Sequence, residues 1–475
     1  MADLGRARCL VGGDWITPGG PGIAVVDPYF EEVIGEVGES GPDMVDRAVT
    51  AAAAAQPVWA RLDVGARTDI LERVADLLVR DGDCMAALVG REMGMPVRLA
   101  RVTQADVPAN ALRTTARLAR EFAWQESIEG ALLQRIPAGV VAAITPWNMP
   151  VHQIVAKVAA ALAAGCTVVL KPSEQTPFDA LALAELFLEA GCPRGILNIV
   201  TGTGVVTGTA LAVHPRLGHV SFTGSVVAGR TVAGMAARTL TRCTLELGGK
   251  SPVLLLPDAD LPTAVAGAVA GGLVNSGQAC NATTRMLVPA DKITDVLSLV
   301  QAETAKYVLG APADPNTTQG PLASAHQRDR VLGYVGDAVA AGGALLTGTG
   351  RPSEACDHGF FVDPTVIVGL PEDAAAIREE IFGPVIAIQT YANIDDAVRI
   401  ANDTDFGLSA EIWSADPDRA RRLAGRLDAG QVKINGVRTR DRLAVPFGGL
   451  KDSGYGRELG GAGIAEFTEL RAVLS

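Results

Sequence analysis

No two of the seven cysteines, at positions 9, 84, 166, 192, 243, 280 and 356, stand at CxxC spacing. Such an odd, scattered set excludes a disulfide framework and a zinc ribbon, and predicts reduced thiols in a cytoplasmic setting. The five histidines form no HExxH motif and no His/Cys cluster, so no metal site is expected. Basic charge is also short: 41 Lys and Arg against 53 Asp and Glu leave a net charge of −12. A nucleic-acid binder carries a basic excess or stripe. Neither is present, so small molecules are the expected partners. Long apolar runs are missing too. Ala264–Val274 is the longest near a helix, is too short to span a bilayer, and reads as a buried helix. The N-terminal MADLGRARCLVGGDW lacks the apolar core of a signal peptide, and no repeat of fixed period is found.

What remains is a long globular chain. Its 475 residues suggest two or three domains. With 48% hydrophobic and 20% charged residues it can bury a large core without metal or disulfide support. Strands and turns fill the first 60 residues, with an Ala-rich helix around Val45–Ala55, and surface helices of 3.6-residue period run over 61–121. Residues 124–137 read as an extended excursion. Strand and helix then alternate. Gly139–Thr145, Thr167–Leu170, Ile196–Val200 and Val220–Phe222 are apolar strands, separated by helices near Val151–Ala164 and Pro177–Ala190. This alternation predicts a parallel sheet covered on both faces. A second α/β region starts near 249, with a strand Pro252–Leu256 and a helix Leu261–Ser276, and continues to about 440. PFGGLKDSGYGRELGG at 446–461 reads as loops.

Several positions carry chemistry in more than one reading. Gly202, Gly204 and Gly208 follow a strand, but Thr207 stands where a GxGxxG fingerprint needs glycine. Gly224 and Gly229 also follow a strand, and read either as a turn or as an approach to a phosphate at a helix N-terminus. Asn148, in TPWNMP, reads as an N-cap or as an oxyanion donor. Cys280, in SGQACNATTR, reads as a buried inert thiol or as a nucleophile in a loop of small polar residues. Lys171 and Glu174 end a strand where a ribose diol is usually held, or are a solvated pair. Glu379 and Glu380 form a carboxylate pair with no third metal ligand.

Taken in order, TPWNMP, LKPSE, SFTGSVVAG, LELGGKSP, GQACNATTR, EEIFGPV, NDTDFGLSA and PFGGLKDSGYGRE resemble the NAD(P)-dependent aldehyde dehydrogenase superfamily, from about residue 10 onward. The resemblance implies an α/β fold: a doubly wound Rossmann-type cofactor domain (1–121 and 138–248), a second α/β catalytic domain (249–447), and a small β oligomerisation arm (122–137 and 462–475). It implies that Cys280 is the nucleophile, that Asn148 and the Cys280 amide form the oxyanion hole, and that Glu246 is the deacylating base. Lys157 and Glu458 match a proton relay. Cofactor contacts are implied at Thr145, Trp147, Lys171, Ser173, Glu174, Gly204, Gly224, Ser225, Leu247, Glu380 and Phe382. NAD is favoured over NADP, because Glu174 repels a 2′-phosphate. A homodimer or homotetramer is implied, with an aldehyde as substrate.

On the helix after Asn148, the residues Met149, His152, Gln153 and Ala156 share one face. The family uses that face as its aldehyde tunnel, together with Phe447. Met149 and Ala156 replace large aromatics, Ala270 and Val274 are small, and VRTRDR at 437–442 brings charge. A wide, polar tunnel is expected, suited to a bulky, polar or carboxylate-bearing aldehyde; solvated loop charge is the other reading of the arginines. Two rival functions are a CoA-acylating aldehyde dehydrogenase and a non-catalytic scaffold. The first typically lacks the glutamate present here as Glu246, and the second often loses the thiol present as Cys280.

Overall fold

The computed structural model describes residues 5–351, 353 and 356–474. The first four residues of the expected cofactor domain, positions 352, 354 and 355 of the expected catalytic domain, and residue 475 of the expected arm lie outside the described residues.

Five parallel strands form the centre of an eight-stranded sheet, in the order Arg242–Glu246, His219–Thr223, Val140–Ile144, Thr167–Lys171 and Leu197–Ile199. Val140–Ile144 and Thr167–Lys171 are buried at every position, as strands covered on both faces must be. The chain builds outward from Val140–Ile144 in both directions, so the switch point lies between that strand and His219–Thr223. Ligands of doubly wound sheets bind at the carboxyl ends of the strands there. Cys9–Val11 extends one edge and Gly454–Tyr455 closes the other, both antiparallel.

The helix Pro150–Ala163 leaves the switch point and is buried at every position except His152. It packs between the sheet and the helix Val107–Glu121. A helix buried all round is apolar all round; its polar exceptions, His152, Gln153 and Lys157, therefore need a local reason.

A seven-stranded sheet forms the second body. Six of its strands are parallel, running Thr365–Val368, Val385–Tyr391, Arg285–Pro289, Pro252–Leu255, Ser409–Trp413 and Gln431–Ile434. A three-stranded antiparallel sheet joins Gln125–Ile128, Ala131–Pro137 and Thr468–Val473. Between the two bodies and this sheet, Gly460–Glu466 is a helix packed on the helices Val107–Glu121 and Pro150–Ala163.

Two sequence expectations need correction. The helix expected over Leu261–Ser276 ends at Gly272, and a tight turn follows over Val274–Gly277. Its cause is tertiary: a Cβ on Gly277 would lie 1.9 Å from the Gly383 carbonyl oxygen, so the backbone must turn to pass. The segment 446–461 is not all loop. It supplies two short strands, Leu450–Lys451 and Gly454–Tyr455, and starts the helix at Gly460.

Candidate active site

The turn after Gly272 is built under strain. Asn275 and Ser276 are buried with φ of 51° and 56°. Each left-handed residue of this kind costs on the order of 1–2 kcal/mol. Hydrogen bonds fix both: Asn275 Nδ2 donates to the Asn148 carbonyl at 3.0 Å, and Ser276 Oγ donates to the Gly320 carbonyl at 2.8 Å. The turn delivers Cys280 to a wall shared by two cavities. Burial, followed by the charges of Glu380, Glu246 and Glu458, pushes its thiol up to about 12. The resting group is therefore a thiol at neutral pH.

Asn148 also lies on both cavities. Its Nδ2 donates to the Gln278 carbonyl at 2.9 Å. An amide carries two N–H donors. One is held by Gln278, leaving the other for the cavities whose walls Asn148 shares with Cys280.

Glu246, at the end of its strand, is buried, and neither carboxylate oxygen has a hydrogen-bond donor. Burial and the nearby Glu458 carboxylate hold its pKa well above the ordinary value, while Lys157 opposes them. Lys157 is fully buried and ion-paired with Glu458. Its Nζ also donates to Thr223 Oγ1 at 2.6 Å, and that hydroxyl donates to Gln153 Oε1 at 3.2 Å. Lys157 and Gln153 thus have their local reason: a polar chain crosses from one cavity to the other.

One cavity, of about 300 Å³, opens at the switch point. Trp147, Gly224, Ser225 and Leu247 line it, with Glu380 and Phe382 opposite. Ser225 caps the helix Val226–Ala237, accepting from the Ala228 amide at 3.2 Å. Phe382 sits at φ 61° with its ring edge-on to Trp147, centroids 5.4 Å apart. Glu380 accepts from the Gly249 amide at 3.1 Å, and burial raises its pKa to about 7. Its neighbour Glu379 is engaged elsewhere, accepting from the Tyr334 hydroxyl at 2.6 Å. Gln327 and Arg330, which the sequence did not single out, donate to the Phe382 and Glu380 carbonyls at 2.7 and 2.6 Å.

Thr145 and Lys171 end adjacent strands, where the Thr145 amide donates to the Lys171 carbonyl at 3.1 Å. Lys171 pairs with Glu174 at 3.1 Å, and Ser173 Oγ accepts from the Gln175 amide at 3.2 Å. None of these four, nor Gly204, lines the cavity itself. Gly204 opens a single helical turn, Gly204–Gly208. The space a phosphate would need at that turn is taken by Glu39, whose carboxylate accepts from the Thr203 amide at 3.0 Å and from Thr207 Oγ1 at 2.6 Å. This is the physical reason for Thr207 in place of glycine. Val205 and Val227, near the starts of two helices, are bare aliphatics, 83% and 76% exposed.

The second cavity encloses about 270 Å³. Met149, His152, Gln153, Ala156 and Phe447 all line it, as do Ala270 and Val274. Burial and Lys157 lower His152 to about 4, so its ring is neutral at pH 7. Arg438 and Arg440 reach the wall, and so does Lys433, which the sequence did not single out.

The family model for the aldehyde dehydrogenase family matches residues 15–473. A 3-succinoylsemialdehyde-pyridine dehydrogenase from a Pseudomonas species is 42% identical, covering 98% of this chain and 97% of that protein. A geranial dehydrogenase from Castellaniella defragrans is 41% identical, covering 99% of each. The crystal structure of a mutant aldehyde dehydrogenase C from Pseudomonas syringae, complexed with NAD+ and octanal, superposes with a TM-score of 0.97 at 40% identity, covering 98% of this chain and 96% of that one. Family, fold and paired cavities agree: the chain belongs to the aldehyde dehydrogenase family and is an NAD-dependent oxidoreductase of aldehydes.

Proposed function

We propose that this enzyme converts a bulky or polar aldehyde to its carboxylic acid through a thioester on Cys280. The observation that carries this reading is the position of Cys280 on the wall of both cavities, which Asn148 shares, within electrostatic reach of the buried Glu246. Cys280 Sγ adds to the carbonyl carbon as its thiol proton leaves to solvent water in the cavity, and the free N–H of Asn148 meets the oxygen as it gains charge. A donor of this kind is worth about 10²–10³ in rate. NAD bound in the switch-point cavity supplies the hydride acceptor that turns the adduct into a thioester. Glu246 takes a proton from the water that attacks the thioester carbon. The C–S bond then breaks, the acid leaves and the thiol is restored. Lys157 and Glu458 carry the proton away from Glu246. Its high pKa makes it a strong enough base for that water, and Lys157 keeps it ionisable.

The residues fit a dinucleotide. Glu380 and Phe382 would hold the nicotinamide ribose, and Ser225 would place the helix N-terminus at the pyrophosphate. Lys171, Ser173 and Glu174 would take the adenosine ribose, with Thr145 supporting that strand end. Gly204 and the bare Val205 and Val227 would receive the adenine. Glu174 then disfavours NADP by charge.

The aldehyde cavity supports the substrate class. Among the described residues Phe447 is the one Phe, Tyr or Trp on its wall, which does not make the aromatic cage a quaternary ammonium wants. Small Ala156 and Ala270 leave width for bulk.

Assembly is read from the three-stranded sheet. Ile128 and Leu470, 49% and 63% exposed, fall on one face by register, and a small sheet with a bare apolar face needs cover. A second copy of the chain supplies it, giving a homodimer or a dimer of dimers. Among the described residues no helix is long and apolar enough to cross a membrane. With seven unpaired cysteines, we place the enzyme in the cytoplasm.

The test is NADH formation from NAD across a panel of aldehydes, with and without CoA. Turnover of bulky or polar members without CoA is expected. A CoA requirement, or acetaldehyde far above every other member, would overturn the reading.

A further inference from the structure

The second sheet seals three charges within its strands: Arg285, held by backbone carbonyls, and the pair Glu411 and Lys433. Ser409–Trp413 is buried at every position, yet its centre is Glu411, which is 0% exposed. Its register partner on the adjacent strand is Lys433, only 8% exposed. Glu411 Oε2 lies 3.6 Å from Lys433 Nζ and 3.7 Å from Arg438 Nη1. Those are ion-pair distances, too long for hydrogen bonds, so the ammonium and guanidinium keep donors to give. Lys433 and Arg438 line the aldehyde cavity, while Glu411 lies behind them. A Cβ on Gly271, on the helix before the nucleophile, would lie 2.5 Å from Thr283 Oγ1 and 3.3 Å from Arg438 Nη1, so the glycine leaves room for both.

The charge does not balance. Lys433, Arg438 and Arg440 line the cavity, whose lining carboxylate, Glu458, is already paired with Lys157, and His152 on the same wall is neutral. Buried charges are stable when paired and hydrogen-bonded. Lys433 is left with that loosely held, shared carboxylate, and Arg438 adds one long bond, at 3.4 Å, to the Gly267 carbonyl, so both keep donors for the cavity. The backbone of paired strands fixes the cluster, which suits a recognition site.

We infer that Lys433, Arg438 and the Glu411 behind them form a subsite for a carboxylate that the substrate carries away from its aldehyde carbon. The inference rests on the reading of this cavity as the aldehyde site, and narrows its substrates to ω-carboxyaldehydes. The substrate carboxylate completes the set, meeting Lys433 and Arg438 with charge-assisted hydrogen bonds. Glu411 is a positioning residue.

The test compares kcat/KM of the full-length enzyme for ω-carboxyaldehydes of increasing length with that for n-alkanals of matched length. We expect the ratio to favour at least one carboxyaldehyde by about tenfold or more, the scale of one charge-assisted hydrogen bond. In Lys433→Met the ratio falls by at least about tenfold, mainly through KM. Because that variant leaves Glu411 underpaired, the neutral double variant Lys433→Met/Glu411→Gln is measured beside it and must show the same fall. Alkanals used as well as or better than carboxyaldehydes, or a ratio unmoved in the folded double variant, overturn the subsite alone. No turnover of any aldehyde by the unmodified enzyme overturns the reading beneath it, and the subsite falls with it.

Discussion

Substituting Glu246→Gln separates the two half-reactions and exposes what the base costs the fold. Both Glu246 carboxylate oxygens are buried without a donor. An unmatched buried polar atom costs roughly 1–3 kcal/mol, and more when charged. The raised folded-state pKa sets the direction with pH. Below the pKa of the unfolded carboxyl both states are protonated and no penalty exists. As pH rises past that value the unfolded chain releases its proton while the folded chain retains it, or holds an ill-matched charge, so stability falls. Glutamine removes the titration and the repulsion from Glu458, although its amide inherits the shortage of partners. At about pH 8 the variant should be more stable than the parent by roughly 1–3 kcal/mol, and near pH 4 the difference should vanish. Activity moves the other way. Losing a general base lowers the step it serves by about 10²–10⁴. Attack by Cys280 and hydride loss do not use Glu246, so rapid mixing should show a burst near one NADH per active site, then slow turnover. Denaturant titration at the two pH values reads the stability. A missing burst with single-turnover formation slowed as much as the steady state would refute the assignment. A variant less stable at about pH 8 would refute the account of its burial.

Cys280→Ala should abolish steady-state turnover while calorimetry still finds NAD bound within about threefold of the parent affinity; catalysis above about 1% would remove the thiol from the mechanism. Lys157→Met strands Glu458 in the core and should cost about 3–5 kcal/mol in denaturant, with most of it regained in Lys157→Met/Glu458→Gln; an equal loss in both would mean the pair is not the cause. Glu380, raised to about 7, is protonated in mild acid and then loses acceptor capacity, so KM for NAD should climb as pH drops through that value. Glu380→Gln should flatten the climb, and an unchanged profile would place the ribose elsewhere. Glu174→Ala should raise the NADP/NAD ratio of kcat/KM by about tenfold, and an unmoved ratio would release Glu174 from cofactor choice.

The parallel strands were legible because burial on both faces demands unbroken apolar runs such as Val140–Ile144. Residues that lie close along the chain were also legible as a group, including the helical face from Met149 to Ala156. What the sequence hid depends on encounters across the fold. The helix before Cys280 stops early because Gly277 passes the Gly383 carbonyl, some hundred residues away. Gly454 reads as loop, but a Cβ there would lie 2.0 Å from the Leu245 carbonyl oxygen, so glycine is what lets an edge strand dock. Glu411 and Lys433 become partners only once two strands take their register. A charge inside the apolar run SAEIW was a visible anomaly, and it was left unread. Thr207 was legible as a break in the glycine fingerprint, but its partner, the Glu39 carboxylate, was not, because the two meet only in the fold.

The docking of Gly454–Tyr455 against Arg242–Glu246 has a consequence for how the protein is made. On the ribosome, the edge that ends in Glu246 emerges about 200 residues before the segment that covers it. At ~5–20 residues per second that leaves the edge bare for roughly 10–40 s. During that interval an open strand can pair with another nascent chain. The arriving segment ends this hazard and completes the catalytic centre in one act, since Glu458 follows Tyr455 by three positions and brings Lys157 its counter-charge. On the proposed mechanism, a chain still under synthesis therefore holds Cys280 and Glu246 but lacks Glu458, and activity waits until the sheet is sealed.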